Sequence, residues 1–122
     1  MEFVMSYCIK RRHERFPVDR PLLGHRVYED VALPVRGRWR SFGEGGVGAQ
    51  MTDQLRTGET IRLELSPSLR VYAIVRYTHG FHHGFEFILL RDRQRVEIKR
   101  LCSDLSRDQR EASSLPLRTG RR

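Results

Sequence analysis

Two short stretches of the sequence combine residue types that bind phosphates and nucleotide bases. The first is the arginine cluster RRHER at residues 11–15, in which Arg11 and Arg15 are four positions apart. A guanidinium presents a planar fork of donors that fits a phosphate or the Hoogsteen edge of guanine, and it can also stack on a purine. The second is the glycine-rich stretch 43–48, where a ligand can approach backbone N–H groups without meeting side chains. Each stretch alone also fits a solvated surface or an ordinary hairpin, so the hypothesis of an anionic ligand depends on both.

The elements that must hold these stretches are predicted to be short β-strands. In 35–42 the residues alternate so that Trp39 and Ser41 share one face while Arg40 and Phe42 share the other. Six segments with strand character are separated by turns that contain Gly, Pro or Ser: 22–28, 35–42, 47–51, 60–65, 69–77 and 83–89. Hairpin-linked strands at this spacing predict a mainly β protein, with an antiparallel sheet closed into a small barrel of about six strands.

One α-helix is predicted, after the last strand. Asp92 can serve as its N-cap, and apolar residues follow it at spacings near three and four. These residues are interpreted as the face that covers the barrel: Val96, Ile98, Leu101 and Leu105.

The chain has the length of one domain, with 122 residues and room for one core. We expect residues 1–15 to form a flexible basic segment and residues 16–105 to form the barrel with its helix. Residues 106–122 are polar and basic, and we expect them to be a disordered tail.

The composition favours an anionic partner. The chain has 23 Lys+Arg against 15 Asp+Glu, a net charge of +8, and nearly all of the basic residues are arginine. No apolar run reaches the roughly 20 residues of a membrane-spanning helix, and the N-terminus lacks the pattern of a secretory signal. We therefore expect a cytoplasmic protein without a membrane span.

Neither enzymatic chemistry nor a metal site is indicated. The sequence has no nucleophile elbow, no HExxH and no P-loop, so we expect no enzyme activity. Cys8 and Cys102 are isolated, which argues against a disulfide framework or a thiolate zinc site. His79, His82 and His83 lie in a predicted hairpin loop without metal-ligand spacing, and a solvated turn is the expectation there. Accordingly, no metal and no cofactor are predicted.

The order of these features resembles the PilZ domain family, small bacterial barrels that bind the second messenger cyclic di-GMP. The family motif RxxxR matches residues 11–15, which continue into the typical Phe-Pro-Val at 16–18. Residues 41–46 stand in the place of the second motif, (D/N)xSxxG, and only Gly46 keeps the identity of a motif residue; the Gly-x-x-Phe of the closing strand matches 84–87. The resemblance covers residues 10–105 and implies these ligand-binding residues: Arg11, Arg12, Arg15, Ser41, Gly43 and Gly46.

Two positions of the second motif depart from the family pattern. Ser41 stands where the family has Asp or Asn, and Gly43 stands where it has Ser. In the family, the arginines hold the phosphates and guanines of an intercalated ligand dimer, and these two side chains form hydrogen bonds near a guanine. Each lost hydrogen bond costs about 0.5–1.5 kcal/mol, so the two replacements lower the affinity expected from the resemblance.

Three functional hypotheses follow. The first is a single-domain receptor for cyclic di-GMP that orders its arginine segment on binding and signals to an unidentified downstream protein. The alternative is a PilZ-fold protein-interaction adaptor that does not bind the nucleotide, because its second motif is degenerate at Ser41 and Gly43. Binding to nucleic acid is the last hypothesis, since it requires several aromatic residues among the arginines of an exposed face. Only Trp39 and Tyr72 are candidates, and Trp39 is expected in the core. Whether the unit is a monomer or a homodimer stays open.

Overall fold

The computed structural model describes residues 14–28 and 31–114. Within them the chain forms seven strands followed by one helix. The strands are β1 (Arg15–Pro17), β2 (Pro21–Tyr28), β3 (Val31–Gly43), β4 (Gly46–Met51), β5 (Thr60–Ser66), β6 (Leu69–His79) and β7 (His82–Ile88), and the helix is α1 (Asp92–Ser114). Arg11 and Arg12, and residues 115–122 of the predicted tail, lie outside the described residues.

The six longer strands form a closed antiparallel barrel, which confirms the fold predicted from the sequence. The strands follow the order β3-β2-β5-β6-β7-β4, and β4 also pairs with β3, which closes the sheet on itself. The short β1 lies beside the C-terminal half of β3, where it continues the line of β2: Pro21 is opposite Arg38, and Pro17 is opposite Ser41. Arg15 therefore belongs to a paired strand rather than to the flexible segment expected over 1–15.

The core fills the barrel with the inward side chains of alternating strand positions. In β5, for example, Ile61 and Leu63 are fully buried while Arg62 and Glu64 point outward. Trp39 is only 1% exposed and stacks on Phe42 with ring centroids 5.1 Å apart, so its predicted place in the core is confirmed. The same burial removes Trp39 as a base-stacking residue for nucleic acid.

A β-bulge in β3 interrupts this alternation and reverses the predicted faces of two residues of that strand. Strict alternation places Ser41 with Trp39 and leaves Phe42 outside, but the register between β3 and β4 shifts between Trp39 and Ser41. Arg40 is the extra residue, so Phe42 enters the core at 0% exposure and Ser41 turns to the outer surface. A second shift, between Val75 and Tyr77, makes Arg76 the extra residue in β6.

Helix α1 covers one end of the barrel along a narrower stripe than predicted. Ile98, Cys102 and Leu105 are buried at spacings of four and three, whereas Val96 is 60% exposed and does not belong to that stripe. Burial raises the pKa of the Cys102 thiol to about 11, as expected for an inert apolar position. The helix continues past Ser106, the expected start of the tail, and ends at Ser114. No helix among the described residues is long and apolar enough to cross a membrane.

The histidine pair of the β6–β7 hairpin divides between the outer surface and the core. His83 was expected in a solvated turn, but it is fully buried. Its Nε2 accepts a hydrogen bond from the backbone N–H of Leu55 at 2.9 Å, so the ring proton is on Nδ1, which donates to the carbonyl of Phe81 at 2.8 Å. His83 thereby fixes the loop between β4 and β5 to the hairpin.

Candidate ligand-binding site

The contact between Arg15 and Ser41 joins the two motifs found in the sequence. Arg15 pairs with Gly43 across β1 and β3, and its Nη1 donates to Ser41 Oγ at 3.1 Å. Since Ser41 and Gly43 lie on the same outer face of β3, the guanidinium extends along that face over both positions. Three of the six predicted ligand residues are thus brought together. The position of the first two arginines of the cluster is not described.

Two glycines on neighbouring strands beside Ser41 are buried, because neighbouring side chains lie directly over them. Ser41, Gly48, Gly84 and Tyr77 are successive cross-strand neighbours on β3, β4, β7 and β6. A Cβ at Gly48 would lie 2.7 Å from Ser41 Oγ and 3.5 Å from His82 Nε2, so both polar atoms border the space above this glycine. Ser41 and Tyr77 lie at the two ends of this row. Each of these residues directly follows the extra residue of a β-bulge, Arg40 in β3 and Arg76 in β6, which shifts the strand register by one residue.

The far end of the row is aromatic. The Tyr77 ring lies directly on Gly84, where an added Cβ would be 2.1 Å from its Cε2. The centroid of the Tyr77 ring lies 5.6 Å from the centroid of the His79 ring and 6.2 Å from that of the His82 ring. Partial burial is the main cause that lowers the pKa of His82, and the positive charges of His79 and Arg40 lower it further. The imidazole is therefore neutral near pH 7 and can both donate and accept a hydrogen bond.

Neither Tyr77 nor His82 was predicted as a ligand-binding residue, and Gly48 was included only as the last residue of the glycine-rich stretch 43–48. Their nearness to Ser41 depends on the register of four strands, which residue spacing along the chain does not reveal. The signals in the sequence are two glycines: Gly48, which ends the glycine-rich stretch, and Gly84, which belongs to the Gly-x-x-Phe match.

The surface next to Arg15 and Ser41 has a positive charge that is only partly neutralised. Arg38 Nε lies 2.8 Å from Asp19 Oδ1, and Arg40 Nη1 lies 3.5 Å from the same oxygen. The hydrogen bond from Arg38 lowers the pKa of the exposed Asp19 carboxyl below its usual value. One carboxylate is thus shared by two arginines, which leaves an excess of positive charge beside the site.

A separate groove of about 590 Å³ lies between β1 and α1. Its charged lining residues are Glu14, Glu44, Lys99 and Arg110. The charges of the groove therefore balance and give it no excess of positive charge for an anion. Within residues 14–28 and 31–114, no group of His, Cys, Asp or Glu is arranged to hold a metal ion.

Gly46, the last residue of the second motif, has a packing role that the sequence did not reveal. Its added Cβ would lie 2.0 Å from the carbonyl oxygen of Phe85, on the paired strand β7. At this point the barrel closes with two backbones in direct contact, and only glycine fits between them.

Restoring the family serine at position 43 is expected to destabilise this protein rather than repair its site. A Cβ at Gly43 would lie 2.6 Å from the carbonyl oxygen of Glu14 and 2.9 Å from Arg15 Cδ, so β1 would have to move. We expect Gly43→Ser to lower the free energy of unfolding by about 1–2 kcal/mol, measured by urea denaturation. Gly43→Ala is the control, because it has the same Cβ without the hydroxyl. A Gly43→Ser protein of unchanged stability would contradict this prediction.

Comparison with known proteins yields one family and several solved structures. The model of the family described as PilZ domain matches residues 9–104. The PilZ domain of YcgR from Escherichia coli, solved with c-di-GMP, is similar with a TM-score of 0.64 and 18% identity; the match covers 87% of this chain and 99% of that one. The PilZ domain of CeSA from a cellulose-synthesizing bacterium is similar with a TM-score of 0.62 and 16% identity, covering 76% and 98% of the two chains.

YcgR in complex with c-di-GMP also matches, with a TM-score of 0.64 and 19% identity. The match covers 85% of this chain but 49% of that one, so the chain spans about half the length of that YcgR structure. No curated protein matches by sequence. At these identities, the structural similarity establishes the fold.

Proposed function

Because this chain belongs to the PilZ domain family, we propose that it is a receptor for cyclic di-GMP. PilZ domains are generally non-catalytic binding domains. The observation that carries the proposal is the hydrogen bond between Arg15 and Ser41, since it joins the residue ending the first motif to the residue starting the second. The ligand would lie on the outer face of the barrel, above Gly48 and next to Arg15.

The phosphates of the ligand are the groups that the arginines would hold. Ser41 Oγ already orients the Arg15 guanidinium along β3, so a phosphate approaching that face meets a donor in a fixed position. Arg11 and Arg12 would add their charges from the segment before β1. Arg38 and Arg40, which share the carboxylate of Asp19, add a long-range attraction for an anion.

The guanine bases are the groups that the row from Ser41 to Tyr77 would hold. Gly48 is buried beneath Ser41 Oγ and the imidazole of His82, so a base would lie over these two side chains rather than on the glycine. Ser41 Oγ and the neutral imidazole of His82 would offer hydrogen bonds to the edge of the base, where Gly43 has lost the family hydroxyl.

Signalling would follow from fixing the arginine segment on the barrel. When Arg11, Arg12 and Arg15 contact the same ligand, the segment before β1 takes up one position beside β3, and the surface offered to a downstream protein changes. The energy for this step comes from ligand phosphates that neutralise several guanidinium groups at once.

Isothermal titration of cyclic di-GMP into the purified chain tests the proposal. We expect micromolar or tighter binding with an intercalated pair of nucleotides per chain. Arg15→Ala is expected to weaken it by roughly tenfold to a hundredfold, because hydrogen bonds to charged groups contribute the most. The control is Arg100→Ala, which removes the same charge from an exposed position of α1.

Absence of binding by the wild-type protein would contradict the receptor function. It would favour the alternative hypothesis of a protein-interaction adaptor, which is supported by the missing side chain at Gly43. Equal loss of affinity in Arg15→Ala and Arg100→Ala would show that only net charge attracts the ligand.

A further inference from the structure

Leu89, between β7 and α1, is both strained and exposed. Its φ is 55°, and among the described residues it is the only non-glycine residue with a positive φ. Leucine rarely adopts this left-handed conformation, in which glycine or asparagine is usual. Its side chain is 81% exposed, so burial in the core does not compensate for the strain. An exposed apolar residue held in an unfavourable conformation suggests a functional constraint.

Leu89 lies on the rim of a groove between the start of β6 and the first turns of α1. This groove, here called the Leu89 groove, has a volume of about 570 Å³ and includes Tyr72, which is 43% exposed. Gln94 holds its two walls together: its Nε2 donates to the carbonyl of Arg70 at 2.6 Å, and its Oε1 accepts from the N–H of Arg91 at 2.7 Å. The groove is therefore formed before any partner binds.

The charges around the Leu89 groove are mainly positive. Arg70, Arg91 and Arg93 line it, and Glu97 is its one acidic lining residue, with a carboxylate that accepts from Ser68 Oγ at 3.1 Å. Arg70 is 3.7 Å from Glu64, whereas Arg91 and Arg93 form no ion pair with any residue in the described part of the chain. The N-terminal turn of α1 adds its partial positive charge on the same side.

We propose that the Leu89 groove docks an acidic segment of a partner protein, which inserts one apolar side chain beside Leu89 and Tyr72. Its carboxylates would contact Arg91 and Arg93. The exposed leucine and tyrosine favour a peptide over a purely electrostatic polyanion, and the arginines select an acidic sequence around the apolar side chain.

The Leu89 groove is separate from the proposed nucleotide site. Tyr72 pairs with Ile88 at one end of the β6–β7 ladder, while Tyr77 pairs with Gly84 near the other end. The docking proposal can therefore be tested without cyclic di-GMP, and neither proposal depends on the outcome of the other.

Fluorescence anisotropy with two labelled peptides tests the docking proposal on the full chain. In one peptide a central pair of leucines is flanked on both sides by glutamates, and in the other the leucines are replaced by serines. We expect the leucine peptide to bind roughly tenfold more tightly or better, because it buries an apolar side chain. Leu89→Gly should remove this preference while the protein stays folded, since glycine adopts a positive φ without strain; circular dichroism verifies the fold.

Charge reversal separates the arginines of the groove from net charge. Arg91→Glu/Arg93→Glu is expected to weaken binding of the leucine peptide roughly tenfold or more, whereas Arg95→Glu/Arg100→Glu, an equal charge change elsewhere on α1, should have a smaller effect. Equal affinity for the two peptides, an unchanged preference in Leu89→Gly, or equal displacement by single-stranded DNA of the same charge would each overturn the proposal.

Discussion

His83→Ala is expected to lower the free energy of unfolding by about 3 kcal/mol, because it creates a cavity and leaves the buried backbone N–H of Leu55 without an acceptor. The imidazole is fully buried, accepts from the N–H of Leu55 and donates to the carbonyl of Phe81. Leu55 is itself 2% exposed, so water does not easily replace the lost acceptor. Urea denaturation followed by circular dichroism measures the change.

The same residue should make the stability depend on pH. Burial lowers the pKa of His83 below its usual value of 6.5, more than the Phe81 carbonyl raises it. Below pH 6.5 the unfolded chain therefore binds a proton that the folded protein does not. The stabilisation is fully present above that pH and decreases as the pH falls, by at most about 1.4 kcal/mol per pH unit for this group. His82, with a pKa lowered in the same direction, adds to the effect.

The matched control is His79→Ala, at an exposed position of the same hairpin. It should change the stability by about 0.5 kcal/mol or less and retain the part of the pH dependence that comes from His83, whereas the part from His82 decreases because the charge of His79 no longer lowers its pKa. In His83→Ala the dependence between pH 7 and pH 5.5 should be weaker than in the wild type. An equally small loss of stability in both variants would mean that water or a shifted loop satisfies the N–H of Leu55.

Hydrophobic alternation was sufficient to predict the barrel, but not the faces of all its residues. The strands around Ile61 and Leu63 follow a strict period of two, so their inward faces could be read directly from the sequence. A bulge adds one residue with no distinctive composition, as Arg40 and Arg76 do, and every side chain after it changes face. The exposure of Ser41 and the burial of Phe42 were therefore not predictable from periodicity.

The residues of the candidate site that belong to local sequence motifs were predictable, whereas those that come together only through pairing of strands across the sheet were not. The arginine cluster and the glycine stretch are local motifs, and the structure brings Arg15, Ser41 and Gly43 together. His82 and His83 are adjacent in sequence, yet one borders the site and the other is in the core. Their difference follows from the alternation of side chains in β7, which begins at His82, whereas both histidines were expected in a loop.

The second large effect is expected at Gly46, where a binding motif and barrel closure coincide. Gly46→Ala would place a Cβ 2.0 Å from the carbonyl oxygen of Phe85, and the next nearest atoms also belong to the backbone of β7. Because backbone atoms cannot rotate away as a side chain does, β4 and β7 would have to separate where Gly46 pairs with Glu86. We expect a loss of about 4 kcal/mol in the free energy of unfolding, measured by urea denaturation.

Comparing two glycines and one arginine then separates the structural role of the motif from binding. Gly24→Ala is the control for added volume, because its Cβ would meet only the side-chain ends of Ile61, Leu63 and Val35 at 3.1–3.3 Å, and it should cost about 1 kcal/mol. Arg15→Ala should lose nucleotide affinity with little change in stability, whereas Gly46→Ala should lose both. If Gly46→Ala were as stable as the wild type and failed only to bind the nucleotide, this glycine would belong to the binding surface. A joint loss would instead mean that the motif retains its glycine for closing the barrel, and that recognition of the ligand depends on the arginine and serine beside it.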